Sequence, residues 1–200
     1  MSDIGAYING FNGIPEFTGQ HRFLPPYWED LRFPATSLQG GGVNDPAFLL
    51  FQDNGVASVG VWAWQFSAVL NQDLFFWAQI PHSWKQGTDL YPHIHWAPMT
   101  AAAGDVAWAY EYSFANIGNP FPLTTQDNIF PAAPGVALEH VLSPFTPVSV
   151  PSGLISGMFG CRIRRRGSNA GDTYPGLVAL LEFDLHYQRN TPGSRQELVK

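Results

Sequence analysis

From residue 48 onward the chain is a succession of short segments in which apolar and polar positions alternate. A period of two marks an extended strand with one buried face, because successive side chains point to opposite sides. Residues 48–51 are short and apolar and lead into a turn signal, Asp53-Asn54-Gly55. Within residues 56–66, Trp62, Trp64 and Phe66 fall on one side, with Val61, Ala63 and Gln65 on the other. Residues 73–80 are almost continuously apolar, which predicts a strand buried on both faces. Residues 90–96 set Leu90, Ile94 and Trp96 against Tyr91, His93 and His95, and Pro92 predicts an edge position or an irregular start. Residues 105–114 align Val106, Trp108, Tyr110, Tyr112 and Phe114, and residues 154–165 align Ile155, Gly157, Phe159, Cys161 and Ile163. In residues 177–187, Leu177, Ala179, Leu181, Phe183, Leu185 and Tyr187 oppose Glu182, Asp184 and His186. Residues 136–142 supply a further short strand, and residues 116–134, with prolines at 120, 122, 131 and 134, predict a long loop.

That is about eight strands and no segment with a helical period. Strands divided by Gly/Pro turns and long crossing loops predict an all-β fold, a jelly-roll β-sandwich of about eight antiparallel strands with an extended N-terminal arm. An immunoglobulin-like sandwich would show closer turn spacing. Residues 1–47 have no sustained period, yet carry the apolar residues Tyr7, Phe11, Phe17, Phe23, Tyr27, Trp28, Leu31 and Phe33, most of them aromatic and too many for a disordered tail. They are expected to lie on their own domain or on a neighbour; a floppy terminus is the alternative. The expected organisation is an arm over 1–47, a jelly-roll domain over 48–190 and a C-terminal tail over 191–200.

Composition sharpens this picture. Charged residues make up 13% and aromatic residues 14% of the 200 positions, whereas ordinary soluble domains carry roughly 25% charged residues. Few charges and many rings describe a surface meant to be covered by protein. Ten basic against sixteen acidic residues give a net charge of −6, which argues against nonspecific nucleic-acid binding. A single cysteine, Cys161, excludes an intrachain disulfide framework and a cysteine-based zinc cluster. There is no apolar run long enough for a membrane-spanning helix, and the first residues lack a signal-peptide pattern, so assembly in the cytoplasm is expected.

The unusual chemistry is concentrated in residues 80–96, which hold His82, His93, His95, Trp84, Trp96 and Tyr91. Gly87, five residues, then His93-Ile94-His95 matches the opening of the cupin metal motif, and two imidazoles two apart on a strand share a face. The motif then requires a glutamate where Met99 and Thr100 stand, and a later Pro-x-Gly-flanked histidine that neither His140 nor His186 provides. The expectation is therefore no metal and no cofactor, with His93 and His95 as the candidate ligands should one be bound. The competing reading packs His82, His93 and His95 among Trp84, Tyr91 and Trp96, hydrogen-bonded to backbone carbonyls. No nucleophile elbow, phosphate-cradling glycine loop or reactive-cysteine pattern occurs, so an enzyme is not expected. Glu182 and Asp184 share a strand face, a spacing that paired-carboxylate chemistry could use, although solvated carboxylates are commoner. Trp62, Trp64, Trp77, Trp84, Trp96 and Trp108 could stack on sugars, but Trp62, Trp64 and Trp108 run in phase with core residues. Arg162 and Arg164 are expected on an interface rim, pairing with carboxylates of a neighbouring subunit.

Two stretches, Trp28-Glu-Asp-Leu-Arg-Phe-Pro34 and the run from Leu74 to Trp96 containing Pro81-His82-Ser83-Trp84-Lys85-Gln86-Gly87-Thr88-Asp89, carry a resemblance to small virion proteins of tailed bacteriophages. It spans roughly residues 28 to 114. It implies a structural protein, in jelly-roll examples a trimeric head-decoration (cement) protein or a neck or tail appendage. The expected function is thus a capsid cement protein that self-associates as a trimer and braces the shell against the major capsid or other virion proteins. The alternatives are a cupin-like metal-binding protein using His93 and His95, and an appendage that binds carbohydrate. Contact residues expected at interfaces are Trp28, Phe33, His82, Trp84, Tyr91, His93, His95, Arg162 and Arg164. Neither nucleic acid nor membrane is an expected partner.

Overall fold

The computed structural model describes residues 7–8, 15–16, 22, 24–151 and 155–199. Its strands are β1 (Tyr7–Ile8), β2 (Pro15–Glu16), β3 (Tyr27–Pro34), β4 (Ala47–Gln52), β5 (Val61–Phe66), β6 (Asn71–Gln79), β7 (Tyr91–Pro98), β8 (Trp108–Ala115), β9 (Thr125–Ile129), β10 (Val141–Pro144), β11 (Met158–Arg166) and β12 (Val178–Arg189). One 3-10 turn, Ala35–Ser37, follows β3. β1 and β2 form a two-stranded ribbon. No helix among the described residues is long and apolar enough to cross a membrane.

Two antiparallel sheets carry the domain. One has the order β10-β7-β12-β5-β4, with β3 also paired to β12; the other has the order β6-β11-β8-β9. Across β5 to β12 the pairing is nested: β5 with β12, β6 with β11, β7 with β10, and β8 with β9. Every connection between these eight strands changes sheet except the one from β8 to β9. This is the jelly roll, a long antiparallel hairpin of strand pairs rolled into a sandwich. The fold class expected from the alternation is the one observed, with β3 and β4 added at the β5 side.

Between the sheets, Phe66, Ile94, Trp96, Trp108, Tyr110, Ile163, Val178, Leu180 and Phe183 are completely buried. Burying a Leu, Ile or Phe side chain is worth about 1.5–3 kcal/mol, so these inward positions fix which face each strand turns inside. Trp108 meets Phe66 edge-on at 5.2 Å, and the Trp96 indole N–H donates to Ser143 Oγ at 3.0 Å. Arg165 continues the inward phase of Cys161 and Ile163 and is buried against Asp172.

Several sequence expectations need correction. β3 lies inside the region expected to be an arm, yet pairs along β12 from Pro34↔Glu182 to Tyr27↔Arg189, so the domain begins before residue 48. Much of the remaining arm, residues 1–6, 9–14, 17–21 and 23, lies outside the described residues, as does the expected strand start at Leu154. β6 alternates buried and exposed positions instead of being buried on both faces, because no third layer among the described residues covers its outer side. The expected loop over 116–134 contains β9, whose polar sequence Thr-Gln-Asp-Asn-Ile hides it from an apolar-pattern search. In β12 the register shifts between Leu180 and Glu182, so Val178 and Leu180 face inward with Phe183 and Leu185, and the phase slips at Leu181. A bulge of this kind inserts one residue and resets which side chains face the core.

Candidate functional site

β7 lies between β10 and β12, and β3 lines the other side of β12. With Ile94 and Trp96 turned into the core, alternation leaves Tyr91, His93 and His95 on the outer face of the six-stranded sheet. The β12 bulge does the same for Glu182, Asp184 and His186, since Phe183 and Leu185 take the inward positions. Register then brings chemistry together. His93 stands opposite Asp184 and His95 opposite Glu182, and on the far side of β12 Arg32 stands opposite Asp184 and Asp30 opposite His186.

Asp184 is at the centre, 2% exposed. Its Oδ2 accepts from His95 Nε2 at 3.0 Å, and His95 Nδ1 lies 2.7 Å from His140 Nε2. His93 Nδ1 is 3.1 Å from Asp184 Oδ1, but it is also 2.9 Å from the Tyr91 carbonyl oxygen, which takes its N–H. Asp184 Oδ1 is therefore buried with no hydrogen-bond partner among the described residues. His186 packs edge-on against His93, ring centroids 4.1 Å apart, and its Nε2 pairs with Asp30. Burial pushes the Asp184 carboxyl above the ordinary carboxylate range, while the His93 and His95 imidazoles pull it back. Burial pushes His186 below the usual imidazole value.

Two open pockets flank this row. One, of about 580 Å³, is lined by Trp28, Tyr91, Pro92, His93, Pro144, Phe145 and His186. The other, of about 290 Å³, is lined by Asp30, Arg32, His95, His140, Leu181, Glu182 and Asp184. A separate pocket of about 330 Å³ lies on the outer face of the four-stranded sheet, where Trp77 is 63% exposed beside Phe75, Glu111 and Arg162. Trp77 covers Gly160, where an added Cβ would come within 2.8 Å of the ring.

The expected contact residues separate into groups. Trp28 is exposed on β3 and meets Tyr91 edge-on at 5.2 Å. Phe33 is half-buried and packs on Phe76 at 4.7 Å. Trp84 is 2% exposed, so it belongs to this chain's own core and offers no surface to a partner. His82 is half-buried, with its ring nitrogens at Ser194 Oγ (2.8 Å) and Ser156 Oγ (2.6 Å), away from His93 and His95. Arg162 and Arg164 find carboxylates within the chain: Arg164 binds Asp73 through two nitrogens at 2.6 and 2.8 Å, and Arg162 pairs with Glu111. Trp96 and Trp108 are buried and cannot stack on a ligand, and Trp62 is exposed instead of lying in the core. Glu182 is bound by Arg32 at 2.6 Å while Asp184 is bound by imidazole, so the two carboxylates do not share a proton.

His93 and His95 alone do not form a ligand pair. The donors that converge are His93, Asp184 and His186, one atom from each lying within 4.8 Å of the others. Sequence reasoning singled out Asp184 and noted His186 in the same phase, but the pairing of β12 with β7 that joins them to His93 is a tertiary fact. The molecule is thus a jelly-roll β-sandwich with a histidine–carboxylate row on one outer face and an open aromatic pocket at its end.

Compared with known proteins, the sequence matches no family model and no curated protein. Among solved structures it is similar to an arabinose-bound MgGH51 α-L-arabinofuranosidase, at 11% identity and a TM-score of 0.34. The matched region covers 78% of this chain and 23% of that one, so the chain spans about a quarter of that protein's length. A likeness this distant carries no argument about activity.

Proposed function

We propose that this chain is a self-associating structural protein of a tailed-bacteriophage virion, a cement protein that binds further copies of itself and braces the shell. The observation that supports self-association is β4. This terminal strand of the six-stranded sheet exposes Phe48, Leu49 and Leu50, neighbours that point to opposite faces, each between 37% and 45% exposed. A sandwich strand ordinarily buries one of its faces. Val61 and Trp62 of the adjoining β5 and Val56 and Val59 of the connecting loop extend the apolar surface. A terminal strand of this kind also presents backbone donors and acceptors to a further strand, which is how sheet edges recruit a second chain. The low charge content fits an interface centre, where charged groups are depleted. The placement in a virion follows the resemblance carried by residues 28 to 114.

Light scattering on the purified chain gives the test. The expected mass is a small multiple, three in the cement reading, of 22.1 kDa. The double substitution Leu49→Lys and Trp62→Lys is expected to return the single-chain mass while the circular dichroism spectrum of the β-sandwich is kept. A wild-type monomer at tens of micromolar would refute self-association. Absence of the chain from purified particles by mass spectrometry would refute the virion role.

A further inference from the structure

We infer that His93, Asp184 and His186 form a binding site for a divalent transition-metal ion of the zinc class on the outer face of the six-stranded sheet. The inference is independent of the structural role proposed above. Two imidazoles and a carboxylate are the donor types that zinc and its first-row neighbours take from proteins. Their convergence comes from the strand register. Asp184 is the partner of His93 across the β7–β12 ladder, and His186 follows two positions on, on the same face. One donor atom from each lies within 4.8 Å of the others. Donors of a tetrahedral zinc site stand about 3.4 Å apart for bonds of about 2.1 Å, so the three groups draw closer together when an ion binds.

A second observation points to a ligand. The Asp184 side chain is only 4% exposed, and its Oδ1 has no hydrogen-bond partner among the described residues, because His93 Nδ1, 3.1 Å away, gives its proton to the Tyr91 carbonyl. Buried carboxylate oxygens are almost always satisfied, and an ion is one of the few partners that would satisfy this one. The other groups are already oriented as outer supports. His95 Nε2 holds Asp184 Oδ2, and the Tyr91 carbonyl accepts from His93 Nδ1, leaving the lone pair of that ring on Nε2. Asp30 pairs with His186. A carbonyl or carboxylate behind each ligating histidine is the usual outer arrangement of protein metal sites. Charges facing the cluster are Asp184, Asp30, Glu182 and Arg32, the last two neutralising each other, so the remaining balance is negative and suits a cation. Three protein donors leave a coordination position open toward the pocket of about 580 Å³, which can take a water or another oxygen donor.

The full chain, stripped with EDTA and dialysed, is titrated with zinc chloride by calorimetry and with cobalt(II) by visible absorption. The expected result is one ion per chain with micromolar or tighter affinity. Asp184→Asn and His186→Gln are each expected to weaken binding at least tenfold. His95→Gln, a positioning change acting through Asp184, should weaken it by roughly 10- to 100-fold. His82→Ala, which lies outside the cluster, should leave the affinity unchanged. If Asp184→Asn fails to fold, the His186→Gln variant decides alone, because His186 is only half-buried. Lack of binding at 100 µM zinc (about a hundredfold above the expected dissociation constant), affinity unchanged in His186→Gln, or one ion per several chains would each overturn the inference.

Discussion

Arg165 has five N–H groups and five acceptors. Nε and Nη2 bind the two Asp172 oxygens at 2.9 and 2.7 Å, Nη1 reaches the Phe66 and Gly176 carbonyls, and Nη2 also reaches the Tyr174 carbonyl. Both charged side chains are fully buried. Removing one partner of such a pair strands the other charge away from water, at a cost of about 3–5 kcal/mol. Arg165→Ala is therefore expected to lower the unfolding free energy by that amount in urea titrations. Arg32→Ala, which breaks an ion pair whose arginine is 66% exposed, should leave the unfolding free energy nearly unchanged. A similar loss for both would show that the Arg165 network is not the anchor its geometry indicates. In the sequence, Arg165 is one of four arginines in a basic patch, and its position in the inward phase of Cys161 and Ile163 is the only sign that it differs.

At the scale of elements, β3 decides where the domain begins. Its ladder to β12 covers eight residue pairs, and Phe33 reaches under the sheet to Phe76. If β3 is an integral strand, Phe33→Ala should destabilise the chain by about 2–3 kcal/mol, somewhat less than a fully buried phenylalanine. A change below about 0.5 kcal/mol, the range of ordinary surface substitutions, would mean that residues 27–34 behave as a detachable arm. The alternating pattern of Leu31 and Phe33 against Asp30 and Arg32 was present in the sequence, but glycines and prolines on both sides obscured it. The β12 bulge was less legible still. Strict alternation placed Leu181 with Phe183, whereas the extra residue turns Leu181 toward the outer pocket and lets Leu180 fill the core.

For the molecule as a whole, the buried thiol and phenol at the centre of the sandwich set its alkaline limit. Burial pushes the Cys161 thiol from 9.0 up to about 12 and raises Tyr110, 3.6 Å away, well above its ordinary value. Both groups are neutral when protonated, so the folded state holds its protons more tightly than the unfolded chain. Their contribution is complete below pH 9 and is lost as pH climbs from there toward the folded values. Each group removes about 1.4 kcal/mol per pH unit once its unfolded form ionises. Urea midpoints should therefore be flat from pH 7 to 8.5 and fall above about pH 9, and Cys161→Ala should flatten the first part of that fall. Rapid reaction of native Cys161 with a thiol reagent at pH 8 would contradict the burial behind this behaviour.

The sequence by itself determined the all-β sandwich and the inward faces of β7, β8 and β11, though not β3, β9 or the phase of β12, because a period-two apolar pattern has one low-energy solution when a sheet has one dry side. It also placed His93 with His95, and Asp184 with His186, each pair on one strand face. Only the tertiary structure decided that those two faces are the same face. His93 and Asp184 are 91 positions apart along the chain (184 − 93) and become neighbours only when the nested hairpin rolls up, and the bulge at Leu181 sets the phase in which Asp184 and His186 meet His93. Alternation reports which side of a strand a residue occupies; which strand lies beside it is fixed by closing the core.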